Sequence, residues 1–152
     1  MVGPFHDFLI LDRDVDGDWE LTKFIRNPRA IQLHDDFVRY IADTLAWIPT
    51  VNPAQKCSQF GLCMNGPTII ESGGAATSGM VFNAWADLLS IGPQVIALTG
   101  GFSWTDNPAL DGEYVHLQFD RNEIVLALRQ LAIWSSQVRM GNGRLYLYHD
   151  GL

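Results

Sequence analysis

Tyr114-Val115-His116-Leu117-Gln118-Phe119-Asp120-Arg121-Asn122-Glu123 holds a strand, its end and the start of a helix in one short stretch. From Tyr114 to Phe119 polar and apolar residues alternate, the period of a half-buried strand. Asp120 is a good N-cap, and Glu123 stands three residues on, as in a capping box. The helix predicted after it carries Ile124, Leu128, Leu131, Ala132, Trp134 and Val138 at helical spacing, and Gly141-Asn142-Gly143 ends it. Leu145-Tyr146-Leu147-Tyr148 reads as a last strand. A strand feeding an amphipathic helix that returns to a strand points to sheet and helices packed as two layers.

The pattern extends upstream. Val95 to Thr99 is almost wholly apolar, which predicts a strand central in a sheet. Before it, Ala75 to Ile91 places Met80, Val81, Ala84, Trp85, Leu88 and Leu89 on one helical face, and Gly92-Pro93 stops it. Pro67 to Glu71 reads as a strand leading through Ser72-Gly73-Gly74 into that helix. Pro28 can open another helix, with Ile31, Leu33, Phe37, Tyr40, Ile41, Thr44 and Leu45 in phase, Asp35 paired with Arg39 at i,i+4, and Pro49 as its stop. At the start, Phe8-Leu9-Ile10-Leu11 and the alternating Trp19 to Ile25 predict two strands joined by Val15-Asp16-Gly17-Asp18. Residues 49–66 and 100–112 read as long connections, which are often functional. With no repeat or linker, the expectation is a single α+β domain over residues 1–152. Its predicted sheet is mixed but mostly antiparallel, of about five or six strands, packed with three helices.

Composition bounds function. The chain has 152 residues, of which 47% are hydrophobic and 18% charged, enough for one real core. Its formal charge of −7 disfavours nonspecific binding to nucleic acid or anionic lipid and suits a partner with a basic surface. No apolar run approaches the roughly 20 residues of a membrane-spanning helix. Met1 to Asp7 lacks the basic start and apolar core of a signal peptide, so a cytoplasmic location is expected. Cys57 and Cys63 match no zinc or redox spacing. Two reduced thiols are the plain reading, and a disulfide around Gly61 is the alternative.

The densest charge lies in Asp12-Arg13-Asp14-Val15-Asp16-Gly17-Asp18-Trp19-Glu20. Carboxylates packed this closely repel one another, so such a cluster needs a cation, a basic partner or full solvation. Asp12, Asp14, Asp16, Gly17 and Asp18 fit the opening of a calcium loop, but its twelfth position is Lys23, where a bidentate glutamate belongs. A solvated hairpin tip is the plainest reading of the cluster. As a partner site, the run offers forks for Lys and Arg, with Trp19 as an aromatic anchor. Asp106 and Asp111 beside Phe102 and Trp104 repeat that combination, while Asp35, Asp36 and Asp43 add acidity on the first helix. Trp85 and Trp134 fall in phase with apolar stripes and belong to the core.

Catalytic signatures are weak. His6, His34, His116 and His149 share no metal-ligand spacing. His149-Asp150 would suit an orienting pair, but a strand end at the surface explains it as well. Ser72-Gly73-Gly74 lacks the lysine of a phosphate loop and has Glu71 beside it. Cys57 with His116 as a nucleophile pair has no motif behind it.

Gly66-Pro67-Thr68-Ile69-Ile70-Glu71 is followed by Ala84-Trp85, by Pro93 with Leu98-Thr99-Gly100, and by Gly112-Glu113-Tyr114. Phe119-Asp120-Arg121 then leads into Leu128, Leu131 and Trp134. Over this last half, Gly66 to Tyr148, the chain resembles small acidic bacterial immunity proteins encoded beside polymorphic toxins, including those of contact-dependent growth inhibition. The resemblance implies a cytoplasmic, non-enzymatic inhibitor that needs no cofactor and masks the active site of one cognate toxin, in many cases a nuclease with a basic cleft. The acidic run lies outside the resemblance.

The sequence therefore leads to an acidic binding protein. Asp12, Asp14, Asp16, Asp18 and Glu20 are its expected charge partners with Trp19 as anchor, and Trp104, Asp106 and Asp111 come second. No metal, direct nucleic-acid contact or membrane contact is expected, and Phe102-Ser103-Trp104 would serve a homodimer equally well. Two rival expectations stay open. One is a calcium-dependent structural or binding module built on residues 12–20, and the other a small hydrolase or transferase with its site in loops 49–66 and 100–112.

Overall fold

The computed structural model describes residues 3–17, 27–104, 106 and 111–152. In chain order the elements are β1 (Phe5–Asp12), β2 (Ile31–His34), α1 (Asp35–Tyr40), α2 (Ala42–Leu45), β3 (Pro49–Asn52), β4 (Cys57–Phe60) and β5 (Pro67–Ile70). They continue with α3 (Ser72–Ser90), β6 (Val95–Ser103), β7 (Glu113–Asp120), α4 (Arg121–Met140) and β8 (Leu145–Asp150). Six strands form one sheet in the order β2-β1-β8-β5-β3-β4, and β6 pairs with β7 in a separate ribbon. The α+β class stands. The sheet is simpler than the mixed one expected, since every pairing among the described residues is antiparallel.

The chain's last strand, β8, lies between β1 and β5. Its side chains alternate between two buried faces, which explains why Tyr146, Leu147, Tyr148 and His149 are all buried. On one face Phe8, Leu33, Ile70 and Leu147 join the main core with Phe82 and Ala86 of α3 and Leu128 and Leu131 of α4. The two long helices approach closely because small residues meet between them: the buried Ser78 hydroxyl donates to the Ser135 hydroxyl at 2.8 Å. On the other face Leu9, Leu11, Ile69, Tyr146 and Tyr148 make a second cluster, with Ala30 and Val51 at its edge. Asp120 caps α4 as its sequence implies, accepting from the Glu123 backbone N–H at 3.0 Å.

Four expectations change. The helix from Pro28 does not form. Asn27 makes an Asx turn instead, its side-chain oxygen accepting from the Arg29 N–H at 2.9 Å. Ile31–His34 then pairs with β1, and helix begins only at Asp35, behind the His34 cap. A break at Ile41 makes two short helices of the remainder, so the described residues hold four helices rather than three. Residues 49–66 are largely the β3–β4 hairpin, turned at Asn52, whose side chain accepts from the Ala54 and Gln55 amides. Val95–Thr99 is not a central strand, because only its alternate residues Ile96 and Leu98 turn to the body while Val95 is 53% exposed. Lastly, β1 takes β2 and β8 as neighbours. The expected second strand from Trp19 to Ile25 lies outside the described residues.

Candidate functional site

Three features stand out among the described residues: the acidic run, the β6–β7 arm and a buried polar chain. The acidic run starts where β1 ends. Asp12 accepts two hydrogen bonds from Arg144 Nε, at 2.9 and 2.8 Å, and one from Nη2 at 2.5 Å. Asp14 lies 3.3 Å from the same guanidinium and Asp16 3.8 Å from Arg29. The Asp12 carboxyl also accepts from the Asp14 amide and the Asp16 carboxyl from the Asp12 amide, so part of the acidity builds the turn itself. The Arg144 hydrogen bonds hold the Asp12 carboxyl below the usual carboxylate range, with backbone amides adding to the effect. Reciprocally, Asp12 raises Arg144. Neighbouring Arg13 stacks 4.7 Å over the Tyr146 ring and pairs with Glu71 at 2.6 Å. Of the expected charge partners, Asp12, Asp14 and Asp16 thus already have cations of this chain beside them. Asp18, Trp19 and Glu20 lie outside the described residues.

The β6–β7 arm has two unlike faces, because residues directly opposite one another share a face. Ile96 opposite Phe119 and Leu98 opposite Leu117 turn inward and are buried or half-buried. Val95 with Asp120, Ala97 with Gln118, Thr99 with His116 and Phe102 with Tyr114 form the outer face, and every one of these is exposed. The register slips between Thr99 and Phe102, where Gly100 and Gly101 bulge out of the ladder. That extra residue returns Phe102 to the outer face beside Tyr114. Phe102 meets Trp104 edge-on at 4.9 Å and Tyr114 at 5.1 Å. Gly112 lets the chain pass, since a Cβ there would sit 2.6 Å from the Phe102 ring. Trp104 is 80% exposed, and Asp106 and Asp111 are exposed at the same end of the arm.

The buried chain escaped the sequence reading. His6 and His149 are fully buried, and His6 Nδ1 lies 2.8 Å from His149 Nε2. His6 Nε2 lies 2.8 Å from Asp35 Oδ1, while Arg39 Nε donates to Asp35 Oδ2 at 2.7 Å. A carboxylate only accepts, so His6 Nε2 carries the proton toward Asp35. In the neutral tautomer of His6 its Nδ1 accepts and His149 Nε2 donates, and among the described residues His149 Nδ1 is a buried atom without a hydrogen-bond partner. Burial, helped by His6, pushes the His149 pKa down to about 3, so its ring is neutral. Burial would raise Asp35, but the hydrogen bonds from Arg39 and His6 outweigh it and hold the carboxyl below its ordinary value. Neither expectation for His149-Asp150 holds: consecutive strand residues point to opposite faces, so they form no pair, and His149 is fully buried rather than at the surface. Alternation in β1 places His6 on the same face as Phe8, and Phe8 stands opposite His149, so a correct strand pairing would have joined the histidines.

The remaining candidates are dispersed. Cys57 is exposed on β4 and His116 exposed on β7, in different sheets, and both Cys57 and Cys63 are free thiols. Ser72-Gly73-Gly74 is the first turn of α3, and Gly74 is there because a Cβ would lie 1.9 Å from the Pro49 carbonyl oxygen. Among the described residues, no group of three His, Cys, Asp or Glu side chains is placed to hold a metal ion, and no helix is long and apolar enough to cross a membrane. The chain matches no family model, no curated protein and no solved structure.

Proposed function

We propose that this chain is a non-enzymatic acidic binding protein, an immunity-type inhibitor that neutralises a cognate bacterial toxin in the cytoplasm by covering a basic surface. The arm's outer face carries the reading. It sets Phe102, Trp104 and Tyr114 in solvent as one aromatic group, with Asp106 and Asp111 at the same end and Glu113 beside Tyr114. No lysine or arginine occurs between Lys56 and Arg121, whereas Glu71, Asp87, Asp106, Asp111, Glu113 and Asp120 do. Two-stranded ribbons are marginal in water on their own, so an arm exposing aromatic rings gains by docking. Aromatic anchors within an acidic field suit a basic cleft, such as that of a nuclease, and the net charge favours fast encounter. Arginines of the chain itself occupy Asp12, Asp14 and Asp16, which shifts the weight from the acidic run to the arm.

The test is co-purification of the full chain with the product of the neighbouring gene, in low and high salt. A one-to-one complex weakened by salt, and weakened further by Asp106→Lys with Asp111→Lys, is the expected result. No complex at either salt would sink the reading.

A further inference from the structure

A cleft of about 440 Å³ separates α1 from the arm. Its walls are Tyr40 on α1 and Val115 and Leu117 on the arm, with Gly100 and Gly101 of the bulge above and Arg39 beside Asp36 below. Arg39 is held from behind: its Nε donates to Asp35, a residue only 7% exposed, which His6 grips from the other side. Its two Nη groups make no hydrogen bond or ion pair among the described residues. Burying two histidines and a carboxylate, with one ring nitrogen unpartnered among the described residues, costs stability that an apolar core would keep. The chain ends on a half-exposed guanidinium whose free fork belongs to a cleft.

We infer that this cleft binds a carboxylate carried on an apolar stem, with the Arg39 Nη fork as its anchor. Two parallel N–H groups match a planar carboxylate. Asp35 and Asp36 outnumber the single guanidinium, so a phosphate dianion meets more repulsion than a monoanion does. Tyr40, Val115 and Leu117 supply the apolar wall for the stem. The bulge releases backbone groups from the ladder beside it. Asp35, His6 and His149 are positioning residues, since they act through Arg39. The site lies between α1 and the arm, and Thr99 of the arm also lines it. A free small acid and the C-terminus of a polypeptide share the required chemistry.

The test follows the Arg39 Nε–H resonance of the full chain during titration with isovalerate, inorganic phosphate, and a peptide ending in leucine as free acid or as amide. Isovalerate or the free-acid peptide should shift the resonance saturably, and phosphate should bind more weakly. Arg39→Gln should cut affinity about tenfold or more, the scale of a lost charge-assisted pair. Val115→Trp, which fills the cleft while sparing Arg39, should also abolish binding. A free-acid peptide that outbinds isovalerate and its own amide identifies a chain terminus; equal binding of both acids identifies a small acid. A peptide amide that binds as well as the acid, phosphate preferred over isovalerate, binding that survives Arg39→Gln, or no saturable shift would each overturn the proposal.

Discussion

His149 Nε2 and His6 Nδ1 share a hydrogen bond of 2.8 Å, tying the last strand of the chain to the first inside the main core. The rings stack with centroids 5.1 Å apart, and the Phe8 ring lies 4.8 Å from that of His149. This surrounding favours the neutral ring and gives a protonated His149 nothing to donate to from Nδ1.

A pH dependence follows. The folded His149 pKa lies near 3 and the ordinary value is 6.5. Above 6.5 both states are neutral and the histidine adds no pH dependence. As pH falls below 6.5 the unfolded chain takes up a proton that the folded one refuses, so stability declines by about 1.4 kcal/mol per pH unit toward pH 3. Unfolding free energies from urea melts between pH 7 and pH 4 should fall with that slope. His149→Gln keeps a donor for His6 and removes the titration, so its slope should be shallower by about one proton. An unchanged slope would mean that another group dominates.

Gly73 and Gly74 are adjacent and should respond oppositely to alanine. A Cβ on Gly74 would strike the Pro49 carbonyl oxygen at 1.9 Å, which neither helix nor strand can relieve without shifting. Gly74→Ala should destabilise by about 1–3 kcal/mol or more. Beyond its own helix, no described atom lies within 4 Å of a Cβ on Gly73, where alanine should stabilise by about 0.4–1 kcal/mol through the unfolded chain. Denaturant melts of the two variants check both signs.

Arg144 should set the acidity of Asp12. Its hydrogen bonds are the largest cause of the depressed Asp12 pKa, followed in the same direction by the Asp14 amide. Arg144→Gln should move that pKa back up toward 3.8, as read from carboxyl carbon shifts in an NMR titration. Because the folded value is depressed, the pair's stabilisation is present above the unfolded pKa and disappears as pH falls through the folded one. If the Asp12 titration does not move in the variant, the turn amides rather than Arg144 hold it.

What the sequence revealed and what it hid divide along local and non-local physics. The α4 cap and stripe and the strand at Tyr114–Phe119 rest on neighbours in the chain, and each appears where its spacing places it, whereas the α3 face is rotated from the expected one: Met80, Ala84 and Leu88 are exposed, and Phe82 and Ala86 are buried instead. Ile31–His34 misled because Ile31, Leu33 and Phe37 also fit a helical phase, and only pairing with β1 decides for a strand. Val95–Thr99 looked central because apolar composition does not distinguish burial on both sides from burial on one. The Asp35–Arg39 pair was legible at i,i+4, but its buried partners stand on two other strands. Trp104, Asp106 and Asp111 were legible as an exposed combination. The Arg144 that neutralises Asp12 lies 132 residues away in sequence and gave no local sign.

Trp104 offers the sharpest separation of binding from folding. It is 80% exposed and its described ring contact is Phe102, itself exposed on the arm. Surface substitutions of this kind change stability by about 0.5 kcal/mol or less, so Trp104→Ala should melt within a degree or two of the parent. A central aromatic anchor lost from an interface costs about 2 kcal/mol or more, roughly a thirtyfold weaker complex, with most of the change in the dissociation rate. The Asp106→Lys, Asp111→Lys variant should instead slow association and flatten its salt dependence, because exposed charges steer encounter. Stopped-flow and dissociation measurements on the two variants therefore separate anchoring from steering. If both variants bind the proposed partner at parental rates, the outer face of the arm is not the surface that binds it.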